Sequence, residues 1–338
     1  MIMKDLNRIK HAIRRFPEAR RRFYRRLIYR RFSSQLGKKV SLTYGVETTT
    51  FPLVAPSVYL RLKSSNGYLE SLEHHFPSRY LIEEREPSLN VETGAIYRRN
   101  LQDPPHYIVE SSEWPDELKL LYDESKIKKA THIEGKFARG ITQTGFYHII
   151  TEELPQILYL SQFKPVFLQG WRGHSIAQEV FATLGVKSLE LNGFIKPSQL
   201  IFVTRGNDIG YLHPFSLHLL REFRDRVLNN HSNKGPEKIY ISRQNSRRSH
   251  PLEVEIQRNY LDKGFQIFES QGMSLVEQIN FFANCREIVG LHGAGITNAI
   301  WSENCKVLEL MPRNRINRCF EWQSFVCNQE YEVKMLPS

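Results

Sequence analysis

The stretch Ile288-Val289-Gly290-Leu291-His292-Gly293-Ala294-Gly295-Ile296-Thr297-Asn298 decides how the fold is read. Glu287–Leu291 is a short apolar run suited to a buried strand, and Gly295–Trp301 reads as a short helix. Two glycines at the junction let the backbone approach a ligand closely and adopt conformations barred to other residues. A helix starting there aims unpaired N–H groups and its positive dipole end at the turn, which favours phosphate. A Gly-Ala-Gly turn also suits plain close packing of helix on strand, so the turn alone leaves both readings open.

The pattern around this junction narrows the choice. Upstream, Lys238–Ser242 reads as a strand, Arg243–His250 as a polar loop, and Pro251–Lys263 as a helix with proline in its first turn. Phe265–Phe268 is the next strand, and Ser274–Asn284 a helix whose Ser274 and Glu277 have capping-box spacing. Downstream, Lys306–Leu310 is another strand. This alternation is that of a doubly wound nucleotide-binding unit, in which ligands sit at the carboxyl ends of the strands. Arg243, Arg247 and Arg248 leave the first strand at that end, where guanidinium groups can grip a diphosphate in bidentate fashion. Arg247 and Arg248 also fit as solvated loop charges. Glu309, near the end of the last strand, can accept from ribose hydroxyls or form an ordinary ion pair.

Between about 136 and 230, helices and strands alternate as in a parallel sheet flanked by helices. Phe146–Gln162, Ser175–Leu184 and Phe215–Leu228 read as helices, with Pro165–Leu168, Leu189–Leu191 and Gln199–Val203 as strands. Residues 40–135 hold short strand-like pieces (Val40–Tyr44, Ser57–Arg61, Tyr80–Ile82, Ala95–Tyr97, Tyr107–Val109) broken by Pro, Gly and Ser clusters. The turn-rich stretch Asn229–Gly235 reads as a hinge. The expected division is therefore a basic arm over 1–39, a half over 40–230 and a nucleotide-binding half over 231–338.

Charge is concentrated at the front. Residues 1–39 hold 14 Lys/Arg and 2 Asp/Glu; of the 47 and 36 in the whole chain, this leaves 33 basic and 34 acidic residues for the body. Leu6, Ile9, Ile13 and Phe16, then Phe23 and Leu27, recur near helical spacing among the arginines, with Pro17 separating two short helices. A basic amphipathic segment of this kind suits an anionic membrane surface. It also suits nucleic acid or a solvated arm, but the near-neutral body does not continue a nucleic-acid track. No apolar run is long enough to span a bilayer, and Met1–Asp5 lacks the features of a secretory signal. Cys285, Cys305, Cys319 and Cys327 match no metal-site spacing and suggest no disulfide framework, so no metal site and a cytoplasmic setting are expected.

Taken together, Tyr240-Ile241-Ser242-Arg243, Glu277-Gln278 before Phe282-Ala283-Asn284, the stretch Ile288–Asn298 and Val307-Leu308-Glu309-Leu310 resemble glycosyltransferase family 61. Tyr147-His148-Ile149-Ile150-Thr151-Glu152-Glu153-Leu154-Pro155 resembles that family's second signature, departing from it at Gly145 and Ile149. The family includes capsule and lipopolysaccharide transferases, xylan transferases and O-linked N-acetylglucosaminyltransferases. The resemblance implies an α/β, GT-B-like architecture of two Rossmann-like lobes with the active site in the cleft between them. It implies an inverting, metal-independent transferase with no obligatory cofactor, moving sugar from a nucleotide-sugar donor, UDP-sugar favoured, to a glycan or protein acceptor. Bacterial cell-envelope polysaccharide synthesis, at the inner face of the membrane, is the setting expected.

Inversion needs a base for the acceptor hydroxyl. His148 and Glu152 are four apart on an expected helix, hence on one face, and either could be that base. His148 also fits as a packed histidine, and Glu153 reads as a surface acid. On the donor side the expected diphosphate contacts are Arg243, His292, Gly293, Ala294, Gly295 and Asn298. Two other classes compete. A dinucleotide-dependent oxidoreductase would use Gly293-Ala294-Gly295 with Glu309, but Asn298 stands where the fingerprint's third glycine belongs. A non-catalytic, membrane-recruited module would keep the fold and have lost the chemistry.

Overall fold

Short apolar runs alternating with amphipathic helices build two large sheets in the computed structural model, beside a separate two-stranded pairing of Val58–Leu62 with Leu72–Phe76. It describes residues 53–337 apart from 56–57, 63–71, 77–78, 100–105, 111–123, 205–209, 230–234, 247–248 and 314–315. The expected basic arm, the strand at Val40–Tyr44, most of the expected hinge, and Arg247 and Arg248 therefore lie outside the described residues.

The N-terminal part contains β1 (Leu53–Ala55), β2 (Val58–Leu62), β3 (Leu72–Phe76), β4 (Arg79–Arg85), β5 (Ser88–Asn90), β6 (Ala95–Arg99) and β7 (His106–Glu110). There follow α1 (Glu124–Lys128), β8 (Thr131–Arg139) and α2 (Phe146–His148), which runs through a π turn (Ile149–Glu153) into α3 (Leu154–Ser161). After these come β9 (Val166–Gln169), α4 (His174–Leu184), β10 (Ser188–Glu190), β11 (Phe194–Val203) and α5 (Pro214–Leu228). Strands β10, β9, β8 and β11 lie side by side in that order and are mutually parallel. Strands β4 and β5 then join β11 antiparallel, and β6 and β7 continue from β5. Because β8 starts the parallel unit while β9 and β11 flank it, the order reverses between β8 and β11, the position where α/β sheets bind ligands. Pro197 cannot donate to the ladder, and the register shifts there. The Ser198 hydroxyl compensates, accepting from Gly135 N at 2.9 Å and donating to its carbonyl at 3.0 Å.

The C-terminal part runs β12 (Lys238–Ile241), α6 (Glu253–Leu261), β13 (Gln266–Phe268), α7 (Leu275–Phe282), β14 (Glu287–Leu291), a 3₁₀ helix (Ala294–Trp301), β15 (Lys306–Pro312), α8 (Cys319–Val326) and β16 (Glu330–Leu336). All five strands are parallel in the order β13-β12-β14-β15-β16, with the reversal between β12 and β14. The expected capping box closes α7: the Ser274 hydroxyl accepts from Glu277 N, and the Glu277 carboxylate accepts from Ser274 N. The helix expected over Gly295–Trp301 is the tighter 3₁₀ form. Helix α8 and strand β16 extend the unit beyond the expected last strand, and β8 was not foreseen either.

The two parts share one apolar core. Ala138, Ile201 and Val203 of the first sheet join Ile239, Ile241 and Val307 of the second through Leu220, Phe223, Ile279, Phe282 and Trp301. Among the described residues, no helix is long and apolar enough to cross a membrane. Gly235, at the end of the expected hinge, lies so close to α7 that an added Cβ would stand 2.8 Å from the Asn280 carbonyl and closer still to that of Phe281. Gly235→Ala is therefore expected to cost about 1–3 kcal/mol of stability, as overpacking does, and to lower the thermal midpoint. An unchanged midpoint would show that the hinge end yields freely.

Candidate functional site

Pro155 shapes the first half of the site. It has no N–H to donate, and the helix ahead of it opens into the π turn, with Leu154 N–H donating to the Ile149 carbonyl five residues back. The wider turn buries two consecutive acids, Glu152 and Glu153. Glu153 is therefore not the surface acid expected. Its carboxylate accepts from Thr142 N at 2.9 Å, Thr142 Oγ1 at 2.6 Å and Gln143 N at 2.8 Å, fastening the loop after β8. Glu152 is 4 % exposed, and its Oε1 lies 2.5 Å from His148 Nδ1 and accepts from Gly210 N at 2.9 Å. A carboxylate oxygen accepts, so Nδ1 carries the proton and the lone pair lies on Nε2. The His148 side chain remains 31 % exposed. Tyr147 closes the arrangement: its hydroxyl donates to the Gly210 carbonyl at 3.0 Å, and burial keeps it protonated by pushing its pKa well up. All of this sits at the carboxyl ends of β8 and β11, the reversal point of the first sheet.

The second half occupies the corresponding point of the second sheet. Arg243 follows β12 and His292 follows β14. The Arg243 guanidinium donates to the His292 carbonyl and, through Nε, to Ser246 Oγ at 3.3 Å, while its backbone N–H donates to the buried Glu253. It lies directly over Gly293, where any Cβ would collide with it. Gly293 is extended, so the glycine is required by close approach and not by a left-handed backbone. Gly295 has a packing reason as well, since its Cβ would stand 2.7 Å from Ile241 Cγ2. Ala294 is exposed, and His292, Gly293 and Gly295 are half-buried.

Two residues expected on the donor side have partners inside the protein. Asn298 is wholly buried, donating to Gln278 Oε1 at 3.0 Å and accepting from Trp301 Nε1 at 3.1 Å. It braces the 3₁₀ helix. Glu309 is also wholly buried, with one oxygen on His292 Nδ1 and the other accepting from the Tyr331 hydroxyl at 2.5 Å. Both oxygens are thus engaged inside the protein, and Glu309 is the partner of His292. Burial, reinforced by the Glu309 carboxylate, pushes the Tyr331 pKa far up, and the hydroxyl stays a donor.

Residues without an expected role join the halves. Phe320, on α8, meets Tyr147 edge-on at 5.5 Å between ring centroids and His292 at 5.4 Å. Tyr147 in turn meets His148 edge-on at 5.5 Å. Beside them Arg318 grips Glu321 with two hydrogen bonds, at 2.5 and 3.0 Å, and that carboxylate holds its pKa up. Tyr211 packs on Trp322, whose indole N–H donates to the Leu212 carbonyl at 3.2 Å, tying the loop after β11 to α8. Among the described residues, no group of three or more His, Cys, Asp or Glu side chains gathers as a metal site would require.

The stacking of Arg243 on Gly293 predicts a non-additive pair. Gly293→Ala displaces the guanidinium and is expected to weaken binding of inorganic diphosphate at this strand end about as much as Arg243→Ala, roughly tenfold or more. The double variant should bind no worse than either single one in calorimetric titration. Additive losses would mean that Gly293 acts independently of Arg243.

With this geometry in place, comparison with known proteins is informative. No curated protein matches the chain significantly. The family model described as Glycosyltransferase 61 matches residues 146–309, a span that opens two residues before His148 and closes on Glu309. The His148–Glu152 and His292–Glu309 pairs both fall within the match, and this span is a glycosyltransferase family 61 domain.

Proposed function

We propose that this glycosyltransferase is inverting and independent of metal, and that it takes its sugar from a nucleotide-sugar donor, UDP-sugar favoured. The observation that carries this reading is the meeting of two His–Glu pairs, one at each sheet's reversal point, across Tyr147 and Phe320. In a GT-B-like arrangement the C-terminal half holds the donor and the half over 40–230 presents the acceptor. Arg243 and the N–H groups around Gly293–Gly295 neutralise the diphosphate as it departs. His292, oriented by Glu309 and Tyr331, contacts the donor phosphate or sugar.

His148 is the base in this reading. As the acceptor oxygen attacks the anomeric carbon, its proton moves to Nε2, and the bond from that carbon to the diphosphate oxygen breaks, with the electron pair leaving on the diphosphate. Glu152, buried and engaged on two sides, orients the ring and stabilises the imidazolium. We further propose a glycan or protein acceptor in bacterial cell-envelope polysaccharide synthesis, with residues 1–39 drawing the protein to the anionic inner face of the membrane.

Two measurements check this. UDP-, GDP-, CMP- and dTDP-sugars are screened by thermal shift, with and without EDTA. One nucleotide class should raise the midpoint irrespective of EDTA and fail to do so in Arg243→Ala. A shift from NAD(P)H alone would favour the oxidoreductase, and silence from every ligand the non-catalytic module. His148→Ala should lower kcat about 10²–10⁴-fold, the usual contribution of a general base, with donor affinity unchanged. A kcat within twofold of the parent would remove His148 from that role.

A further inference from the structure

The carboxyl end of the first sheet carries a second feature, one strand away from His148. Strand β9 is followed by Gly170-Trp171-Arg172-Gly173, and Trp171 is 63 % exposed, more than any other large hydrophobic residue described. The Arg172 guanidinium lies 5.5 Å from the centre of its ring. The loop that carries Trp171 is held in place by a buried side chain. Gln169, wholly buried, donates from Nε2 to the carbonyls of Ile141 at 2.8 Å, Gly170 at 2.9 Å and Arg172 at 2.7 Å, and its Oε1 accepts from Ile141 N at 2.9 Å. One buried amide thus holds both sides of the Trp171 loop. Glycines complete the fit: a Cβ on Gly170 would stand 2.9 Å from Glu92 Oε2 and 3.0 Å from the Val91 carbonyl. Gly173 has a left-handed backbone (φ +61°) and would collide with Ile141.

The bracing continues toward the chemistry. Ile141, held by Gln169, is followed by Thr142 and Gln143, which are held by Glu153 beside the His148–Glu152 pair. Residues Ile141, Thr142 and Gln143 therefore link the backbone of the Trp171 loop to Glu153, the neighbour of Glu152 in the chain. The C–H face of a pyranose ring is apolar and carries partial positive charge, which suits the negative face of an indole, while its hydroxyls suit neighbouring polar groups such as Arg172 and Glu92. We propose that Trp171 is the stacking platform of an acceptor-sugar subsite, placing a pyranose along the carboxyl edge of the first sheet. The acceptor role rests on the glycosyltransferase mechanism above; sugar binding at Trp171 does not.

The test uses the full chain labelled with fluorotryptophan and followed by fluorine NMR. The sequence has four tryptophans, and Trp171→Phe identifies the resonance of interest by deleting it. Methyl β-D-galactopyranoside, methyl β-D-xylopyranoside, methyl α-D-mannopyranoside and N-acetyl-D-glucosamine are titrated in turn. At least one should shift the Trp171 resonance saturably while those of the buried Trp301 and Trp322 stay still. With that saccharide as acceptor, Trp171→Ala should raise its KM about tenfold or more and Trp171→Phe distinctly less, with donor KM unchanged. If none of the four moves the resonance, or all tryptophans shift alike, the proposal is overturned. Donor binding, measured by thermal shift on the same sample, separates the two ideas. Donor binding with a silent Trp171 sinks the platform alone, whereas a responsive Trp171 without donor binding sinks the transferase mechanism alone.

Discussion

The edge-on contacts of Phe320 with Tyr147 and with His292 hold the rest of the site together. Each half is organised by its own sheet, and each sheet puts its reversal point where a ligand can be gripped. That placement leaves two sets of polar groups on different elements, and a reaction between two substrates needs them in register. Aromatic rings meeting edge to face prefer a defined angle and separation, so they set spacing as well as exclude water. Phe320 is buried, and its helix is tied to the first half by Trp322 and the Leu212 carbonyl. The halves share a core instead of meeting across a polar seam.

Within that frame the same device appears twice. A buried glutamate takes Nδ1 of a half-exposed histidine, and a tyrosine hydroxyl completes the surroundings: Glu152 with His148 and Tyr147, Glu309 with His292 and Tyr331. A carboxylate in that position fixes the tautomer and the plane of the ring, directing Nε2 outward. The surroundings of the two differ. Beside the His148–Glu152 pair lies the Gly210 backbone, whereas His292 offers its own carbonyl to Arg243.

Much of this was legible in the sequence. The apolar runs and the Ser274/Glu277 cap located most of the C-terminal strands and helices, and the spacing of His148 and Glu152 correctly put them in contact. Other features were hidden for physical reasons. Adjacent acids on an ordinary helix point about 100° apart, so Glu152 inward implied Glu153 outward; the π turn ahead of Pro155 buries both, and the proline is its only trace in the sequence. Asn298 and Glu309 are polar residues in apolar surroundings, and spacing does not tell whether such a group serves a ligand or another buried side chain. Strand β8 begins with six residues that stay largely exposed and so lack an apolar signature. Strand β16 did carry one, in the alternation of Tyr331, Val333 and Met335 with charged neighbours. Phe320 gave no signal, since its role exists only once the two halves have met.

The most direct measurement of the central claim is a double-mutant cycle on kcat/KM with His148→Ala, His292→Ala and the pair. Groups acting on one reaction through one bridged site are strongly non-additive. The account predicts that the double variant is no slower than the worse single variant within about threefold. Losses that multiply in full would contradict it, because they would mean that the two histidine–glutamate pairs work as independent sites.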